Sequence, residues 1–400
     1  MVSATALVAA AVAPILPRVL GPHPPSAEDL AKAAADRFLD RYMEQDGRVV
    51  RRDQGGDTVS EGQAYAMLVS VAIGDQLRFD RAWSWAKTHL QRSDALLAWR
   101  WHEGRVPDPN SASDADLDAA HALVLAARQF GQPSYLDEGR RIARSILAKE
   151  TVLLPGGSLV LVAGPWARTS PYAVNPSYFA PSSYALLSEA TGDPRWGMLL
   201  RSSHQLVGRL TGDPPSLPPD WAQLDRDGAL HPIASPGADE GQPRYGFDAP
   251  RLLVRLATDC SETSHRLAVA AGRLMPLEPG RVAAAYDLKG VALVDHGHPL
   301  ADVAASAVAL RTGDQRLARQ LLEHAEALDR QVSTYYGAAW LALGRIMLTT
   351  NLLTECSTVQ ATAPQPGAGQ RSGIGDDQAG QLATSGDHRH ADDDAHLDGR

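Results

Sequence analysis

The chain has 400 residues, of which 44% are hydrophobic and 21% charged, enough for one large domain or two ordinary ones with a substantial core. This composition excludes a chain that is disordered throughout. The 38 Lys and Arg against 47 Asp and Glu give a formal net charge of −9. Because phosphate binding needs a basic field, this charge argues against nucleic acid as the main ligand and favours a neutral or weakly charged substrate.

The N-terminal region contains an apolar run from Ala4 to Leu16 with no charge before Arg18. The run is shorter than the roughly 20 residues of a membrane-spanning helix but has the length of a secretory h-region. We therefore expect residues 1–25 to be a signal peptide or N-terminal tail, the protein to be secreted or extracytoplasmic, and no segment to span a membrane. A cytoplasmic protein stays an alternative, because the run lacks a basic n-region.

The next region, residues 26–353, consists of successive helical patterns separated by short polar breaks. Ser26, with Asp29 three residues on, predicts a capping box at the start of the first helix, and Ser60 with Gln63 predicts the same for the second. Two more apolar stripes follow, on either side of Gly131. Later helices are predicted over residues 181–191, 195–211, 249–258, 262–274, 300–311, 314–328 and 334–350.

The helix number and the loops between the helices indicate the fold. Around a dozen helices joined by long loops containing Pro and Gly suit a closed ring of helical hairpins better than a four-helix bundle. Only the run from Gly157 to Ala163 resembles a strand, so we expect an all-α fold with at most a small β-hairpin. Residues 354–400 lack aromatic residues and are acidic, which predicts a disordered C-terminal tail.

The two cysteines of the chain are Cys260 and Cys356, which can form at most one disulfide. Such a bridge requires export, because a reducing cytosol would keep both as thiols.

Three acid-bearing segments share one local pattern, in which a loop of small and polar residues ends in an acid that starts a helix. They are Ser60-Glu61-Gly62-Gln63-Ala64-Tyr65, Ala112-Ser113-Asp114-Ala115-Asp116-Leu117-Asp118 and Tyr245-Gly246-Phe247-Asp248-Ala249-Pro250-Arg251. The simplest interpretation is helix capping, worth about 0.3–1 kcal/mol for each acid near a helix N-terminus.

Tryptophans near these acids favour a sugar-binding cleft instead. Four of the eight tryptophans, Trp83, Trp85, Trp99 and Trp101, lie between the first two acidic segments. The sequence Trp99-Arg100-Trp101 is unusual for a core, because its three side chains cannot all face inward on a helix or a strand. Aromatic faces stack on the apolar face of a sugar, and charged groups bond its hydroxyls.

Several motifs in order resemble the signature segments of family 8 of the glycoside hydrolases. They are Ser60 to Tyr65, Trp99-Arg100-Trp101, Ala112 to Asp116, Asn175-Pro176-Ser177-Tyr178, Pro218-Pro219-Asp220-Trp221 and Phe247-Asp248-Ala249-x-Arg251. The resemblance covers residues 26 to about 350. It implies an (α/α)6 barrel that acts as an inverting endo-β-1,4-glucanase of the cellulase type, similar to the bacterial endoglucanases that accompany cellulose synthesis.

The resemblance also implies roles for individual residues. Glu61 corresponds to the general acid, Asp248 to the general base, and Asp116 to an acid that binds and distorts the sugar at the cleavage point. Substrate contacts are expected from Asp114, Trp99, Arg100, Trp101, Tyr178, Trp221 and Arg251. An inverting pair stands about 6.5–9.5 Å apart so that a water fits between the two carboxyl groups.

Two departures from the family pattern concern activity. Phe247 stands where a tyrosine usually precedes the base, which removes one hydroxyl beside Asp248. Ala119 replaces a larger Ile or Met. Reduced activity or altered specificity would follow from these changes.

The alternatives left open are a non-catalytic or weakly active glucan-binding protein on the same barrel, and the same fold acting on xylan, chitosan or mixed-linkage glucan. Asp114-x-Asp116-x-Asp118 resembles the start of a calcium loop, but Ala119 and Leu125 break that pattern. We predict no metal and no cofactor, a β-1,4-linked glucan as substrate, and a monomer that associates with a cellulose-synthesis apparatus.

Overall fold

Twelve α-helices make up most of the computed structural model, which describes residues 24–238 and 240–353. Their bounds are α1 (Ala27–Tyr42), α2 (Ser60–Ala72), α3 (Gln76–His89), α4 (Ser113–Phe130), α5 (Pro133–Lys149), α6 (Pro181–Thr191), α7 (Arg195–Thr211), α8 (Ala249–Thr258), α9 (Glu262–Gly272), α10 (Pro299–Arg311), α11 (Gln315–Gln331) and α12 (Tyr335–Thr349). Every helix predicted from the sequence is present. Helix α3 was not predicted, because its buried face is formed largely by scattered aromatic residues.

The helices form two concentric rings. Each even-numbered helix from α2 to α10 contacts the next even-numbered one, and α12 contacts α2, so the inner ring is closed. Each odd-numbered helix packs outside the ring, α1 against α12 and α3, α5, α7, α9 and α11 against the inner helix that precedes it. This arrangement confirms the predicted (α/α)6 barrel.

Burial distinguishes the inner helices from the outer ones. In α10, eleven of the thirteen residues are buried, whereas in α11 only five of the seventeen are. A helix that is apolar all round is stable only when other elements surround it, and one with a single apolar stripe lies at the surface. The sequence thus assigns α10 to the inner ring and α11 to the outer ring.

The two predicted capping boxes have different outcomes. At α1, Ser26 accepts the backbone N–H of Asp29, and the carboxylate of Asp29 accepts the backbone N–H of Ser26, as predicted. At α2 the prediction is wrong, because Ser60 already lies inside the helix and the N-cap residue, Val59, has no side-chain hydrogen bond. Gln63 is instead buried and bonds backbone groups outside the helix.

Ten short strands form four small antiparallel sheets among the described residues. Their bounds are β1 (Thr58–Val59), β2 (Ala98–His102), β3 (Arg105–Ser111), β4 (Thr151–Leu153), β5 (Leu159–Leu161), β6 (Tyr172–Val174), β7 (Trp221–Leu224), β8 (Leu230–Ile233), β9 (Arg244–Tyr245) and β10 (Tyr286–Asp287). The sheets are β1-β2-β3, β4-β5, β6-β7-β8 and β9-β10.

The hairpin β4-β5 confirms the strand predicted between Gly157 and Ala163. The expectation of at most one small β-hairpin is wrong, because the described residues contain four small sheets. The two three-stranded sheets escaped prediction because their strands are two to seven residues long and some contain proline, such as Pro107 and Pro109 in β3. In such short, half-exposed strands the alternation of apolar and polar residues is too short to predict a strand.

Several predictions concern residues outside the described part of the chain. They are the apolar run Ala4–Leu16, the acidic tail 354–400, and the bridge to Cys356, which stay predictions. Within the described residues, no helix combines the length and the apolarity needed to cross a membrane.

Candidate active site

The N-termini of inner helices meet at one end of the barrel, around Arg251. Inner helices run in the same direction because each is followed by an outer helix that returns the chain. The side chain of Arg251 is 1% exposed, and its Nη1 donates to Oε2 of Glu61 over 2.9 Å and to Oδ2 of Asp114 over 2.8 Å. Its Nη2 donates to Oδ1 of Asp248 over 2.7 Å. One guanidinium therefore joins acids from the starts of α2, α4 and α8.

Glu61 and Asp248 lie on the same cleft, although 187 positions separate them in the sequence. The cleft has a volume of about 470 Å³, and Phe247, Tyr335 and Tyr336 also line it. Because two nitrogens of one guanidinium lie about 2.3 Å apart, Oε2 of Glu61 and Oδ1 of Asp248 are separated by at most about 8 Å. This limit excludes a pair too distant to act on one sugar and one water, since the carboxyl groups of an inverting pair stand about 6.5–9.5 Å apart.

Capping does not account for these acids. The N-cap residues of α2 and α4 are Val59 and Ala112, and neither has a side-chain cap bond. Asp248 occupies the N-cap position of α8, yet its carboxylate makes no cap bond either. The capping interpretation is therefore insufficient at these three helix starts.

Glu61 is in an environment that retains a proton. Burial raises the pKa of its carboxyl to about 7, the negative charges of Asp114 and Asp248 add to the rise, and Arg251 opposes it. The hydroxyl of Tyr335 donates to Oε1 of Glu61 over 3.4 Å. A carboxylic acid that is still protonated near neutral pH can protonate a leaving group.

Asp248 has a firmer bond to the guanidinium than Glu61 has. Burial raises the pKa of Asp248, Arg251 opposes that rise, and the charge of Asp220 adds to it. Among the described residues, Nη2 of Arg251 donates to one carboxylate, that of Asp248, whereas Nη1 donates to the carboxylates of both Glu61 and Asp114. Since a hydrogen bond to the charged form favours ionisation, Asp248 is the better suited of the two cleft acids to stay ionised.

Aromatic hydroxyls that the sequence analysis did not assign complete the site. Tyr65 accepts from Nη1 of Arg251 over 3.2 Å and from Nε1 of Trp340 over 3.1 Å. Tyr335 comes so close to α2 that a Cβ on Gly62 would lie 2.6 Å from its hydroxyl oxygen, which accounts for glycine there. In the sequence, the pair Tyr335-Tyr336 at the start of the last predicted helix could have indicated Tyr335 as a site residue.

Tyr178 and Trp221 lie beside the same guanidinium. The centroid of the Tyr178 ring is 5.3 Å from Cζ of Arg251, and Trp221 packs edge-on against Tyr178 at 5.9 Å between centroids. The rings are partly exposed, so the structure brings both predicted substrate contacts next to the acids.

Phe247 lies on the cleft with its ring exposed. It is 42% exposed and packs edge-on against His298 at 5.1 Å between ring centroids. The hydroxyl of Tyr336 donates to the carbonyl oxygen of Phe247 over 3.0 Å. Tyr336, from helix α12, therefore places a hydroxyl beside the backbone of Phe247, whose own side chain has none.

The side chains of Trp99, Arg100 and Trp101 point to other partners from strand β2. Nε1 of Trp99 donates to Asp108 over 2.8 Å, and Nε of Arg100 donates to Asp57 over 2.6 Å. The Trp101 ring packs edge-on against Trp85 and lies 4.3 Å from Cζ of Arg48. Arg100 shares Asp57 with Arg51, which lines the cleft, and the predicted contacts of these three residues with substrate stay predictions.

Asp116 lies apart from the acids that bond Arg251. Its side chain is fully buried, Oδ1 accepts the backbone N–H of Leu97 over 2.8 Å, and Oδ2 makes no hydrogen bond among the described residues. Burial raises the pKa of Asp116 to about 8 and that of the neighbouring Glu150 well above its usual range. The acid of this segment that contacts the Arg251 cluster is Asp114, and the predicted contact of Asp116 with the sugar stays a prediction.

The calcium-like spacing does not form one coordination sphere. Asp114 bonds Arg251, Asp116 faces Leu97 and Glu150, and Asp118 forms a bidentate pair with Arg255 at 2.8 Å for both bonds. Successive acids two positions apart on a helix point in different directions, so these three carboxylates cannot converge on one ion.

The chain matches a described family and several relatives. The family model for glycosyl hydrolases family 8 matches residues 26–346. A probable endoglucanase of Novacetimonas hansenii is 35% identical over 221 residues, which are 54% of this chain and 63% of the relative. An endoglucanase of Cellulomonas uda is 33% identical over 234 residues, 57% of this chain and 63% of the relative. The aligned region thus spans less than two thirds of each relative.

Similarity in three dimensions extends further along the chain. The solved structure of the endo-β-1,4-glucanase CMCax from Acetobacter xylinum superimposes with a TM-score of 0.68 and 28% sequence identity. The superposition covers 80% of this chain and 98% of that one.

Proposed function

Because the chain belongs to family 8 of the glycosyl hydrolases, we propose that it is an inverting endo-β-1,4-glucanase that hydrolyses a cellulose-like polysaccharide. The observation that carries this proposal is the cleft in which Glu61 and Asp248 bond opposite nitrogens of Arg251. The relatives named as endoglucanases support the reaction and the substrate class.

The reaction is a single displacement at the anomeric carbon. Glu61 gives its proton to the glycosidic oxygen as the bond from that oxygen to the anomeric carbon breaks. Asp248 takes a proton from a water whose oxygen forms the new bond on the opposite face of the ring. Water is consumed, one new reducing end forms, and the configuration at the anomeric carbon changes from β to α. Proton exchange with solvent then restores both carboxyl groups.

Burial and the surrounding charges set the two protonation states. Burial, with a smaller contribution from the charge of Asp114, favours the protonated form of Glu61, and the guanidinium favours the ionised form of Asp248 through Nη2. Asp114 and Arg251 also remain proposed contacts of the sugar at the cleavage point.

The rings of Tyr178 and Trp221 form the proposed sugar platform on the Arg251 side of the site. The exposed ring of Phe247 extends the apolar surface on the cleft side. Stacking on rings is how proteins bind the apolar faces of neutral sugars, and the formal net charge of −9 fits a neutral substrate.

Measuring reducing ends released from carboxymethylcellulose tests the proposal, with Asp248→Asn as the control variant. We expect the wild type to release reducing ends and the variant to lose that activity. A wild type that binds the polymer without cleaving it would support the alternative, a non-catalytic glucan-binding protein. Faster cleavage of xylo- or chito-oligosaccharides than of cello-oligosaccharides would reassign the substrate.

We also propose a cellular setting. Residues 26–353 are the catalytic domain, and residues 1–25 direct its export before removal. The mature protein is a monomer that associates with a cellulose-synthesis apparatus. Mass spectrometry of the protein recovered outside the cytoplasm tests export, because cleavage near residue 25 would remove the apolar run.

A further inference from the structure

Asp220 fixes the segment that carries the proposed base. It lies directly before strand β7 and is 5% exposed. Its Oδ1 accepts three backbone N–H groups from one loop: that of Gly246 at 2.9 Å, that of Asp248 at 3.1 Å and that of Ala249 at 2.8 Å. Three donors converging on one carboxylate oxygen form an anion-binding arrangement, here filled by a side chain from 28 positions upstream of Asp248.

Several helices of this protein have a local side-chain cap at the N-terminus. At α3 and α11, the N-cap aspartates Asp75 and Asp314 accept the N–H three positions on. At α8 the N-cap residue is also an aspartate, Asp248, yet its side chain leaves the helix N-terminus and bonds Nη2 of Arg251. The donors at this helix start are satisfied by Asp220 instead.

The fit around Asp220 is close on both sides of the loop. A Cβ on Gly246 would lie 2.5 Å from Oδ2 of Asp220, so a side chain there would displace the carboxylate. The backbone N–H of Asp220 donates to the carbonyl of Arg244 over 2.8 Å, which ties β7 to β9. Nε of Arg244 lies 3.6 Å from Oδ2 of Asp220.

We propose that Asp220 is a positioning residue that caps α8 in place of Asp248, so that the carboxylate of Asp248 is held on Arg251 and faces the cleft. This inference rests on the proposed function, because it assigns Asp248 the role of base. Without Asp220, the loop from Gly246 to Ala249 loses three hydrogen bonds, and Asp248 becomes the nearest carboxylate able to cap the helix.

The charge of Asp220 has a second, opposing effect. The titratable groups around Asp248 are Arg251, Asp220 and Arg244, the phenols of Tyr178 and Tyr336, and Glu61 across the cleft. The negative charge of Asp220 raises the pKa of Asp248. Capping and charge can therefore be separated by one isosteric substitution, since an asparagine keeps an acceptor oxygen but carries no charge.

Asp220→Ala and Asp220→Asn form the central pair of variants, and Asp225→Asn, at the far end of β7, is the matched control. For Asp220→Ala we expect kcat to fall about 30- to 100-fold with KM changed less than about threefold, as for a displaced catalytic group. For Asp220→Asn we expect kcat at its plateau to stay within about threefold of wild type, with the acidic limb of kcat/KM at lower pH. The control should match wild type in both measurements.

Backbone hydrogen exchange over residues 246–249 gives a readout that does not depend on activity. Exchange should be slow in the wild type and in Asp220→Asn and faster in Asp220→Ala. If Asp220→Ala does not fold, Asp220→Ser replaces it, because the shorter hydroxyl cannot accept the three backbone N–H groups: faster exchange with a lower kcat supports the inference, and unchanged exchange and kcat overturn it. Unchanged kcat and unchanged exchange in a folded Asp220→Ala would also overturn it.

Failure of the proposed function would give a different result. A wild type that cleaves no glucan, or an Asp248→Asn variant as active as wild type, would refute the enzymatic role of Asp248 whatever the exchange data show. If only Asp220→Ala then showed faster exchange, Asp220 would cap α8 without affecting catalysis. The positioning inference would be overturned.

Discussion

Nη1 of Arg251 donates to Oε2 of Glu61 over 2.9 Å, and 190 positions of sequence separate the two residues. The same nitrogen reaches Asp114, and the other terminal nitrogen reaches Asp248. A single buried cation therefore joins the three acids on which the proposed reaction depends and limits the distances between them.

Glu61→Gln should abolish hydrolysis while leaving oligosaccharide binding intact, because glutamine preserves the shape of the side chain but has no proton to give. We expect kcat to fall about 10²- to 10⁴-fold. Steady-state kinetics and calorimetric titration with a cello-oligosaccharide measure the two effects. Glu103→Gln, at a glutamate whose side chain is 77% exposed, is the control and should match wild type. Normal turnover by Glu61→Gln would refute the assignment of the acid.

The pH dependence of kcat/KM should be bell-shaped, with an alkaline limb set by Glu61. Its raised pKa of about 7 means that the protonated, active form is lost as the pH rises through that value. The charge of Asp114 contributes to this rise, so Asp114→Asn should lower the pKa of Glu61 and move the alkaline limb to lower pH. An alkaline limb that stays in place in Asp114→Asn would show that Asp114 does not hold the proton on Glu61.

Two arginines one turn apart on α8 offer a matched comparison. Arg251→Lys should lower kcat more than about 100-fold, because a lysine is a single point charge and cannot bond Glu61 and Asp248 from two fixed nitrogens. Arg255→Lys should lower the melting temperature by weakening the buried pair with Asp118 and leave kcat within about threefold. Equal losses of kcat in the two folded variants would contradict the role of Arg251 in the site.

The pair formed by Asp116 and Glu150 should make stability depend on pH. Both pKa values are raised by burial, so each carboxyl retains in the folded state a proton that the unfolded chain releases near pH 4. The free energy of unfolding should therefore fall as the pH rises from about 5 towards 8, by up to about 1.4 kcal/mol per pH unit for each proton.

Glu150→Gln removes the proton of Glu150 and should reduce the slope, as measured by urea unfolding at several pH values, while Asp116 still contributes to it. The exposed Glu103→Gln should keep the wild-type slope. An identical slope in Glu150→Gln would contradict a proton retained on Glu150 in the folded state.

Much of the fold could be predicted because its signals are local. The apolar stripes give the helices, and a dozen of them with long loops suggest the ring. Glu61 and Asp248 could also be selected, since each lies in a short motif at the start of a helix. The environment of Asp116 could not be predicted, because neighbouring acids on one helix differ in direction and only the packing around Leu97 reveals which one is enclosed.

The remaining site residues depend on contacts between distant segments. Tyr335 reaches Glu61 across 274 positions, and Gly62 fits beneath it only in the closed ring. The capping of α8 by Asp220 is likewise invisible in the sequence, because an aspartate already stands at the N-cap position. Such relationships follow from the closure of the barrel rather than from any local pattern.

The most direct measurement is the configuration of the first product released from a β-1,4-linked cello-oligosaccharide, followed by proton NMR before mutarotation. A water activated by Asp248 opposite the acid Glu61 predicts that the new reducing end appears first as the α-anomer. Initial appearance of the β-anomer would mean a retained configuration, and would contradict the arrangement of acid, water and base proposed for this cleft.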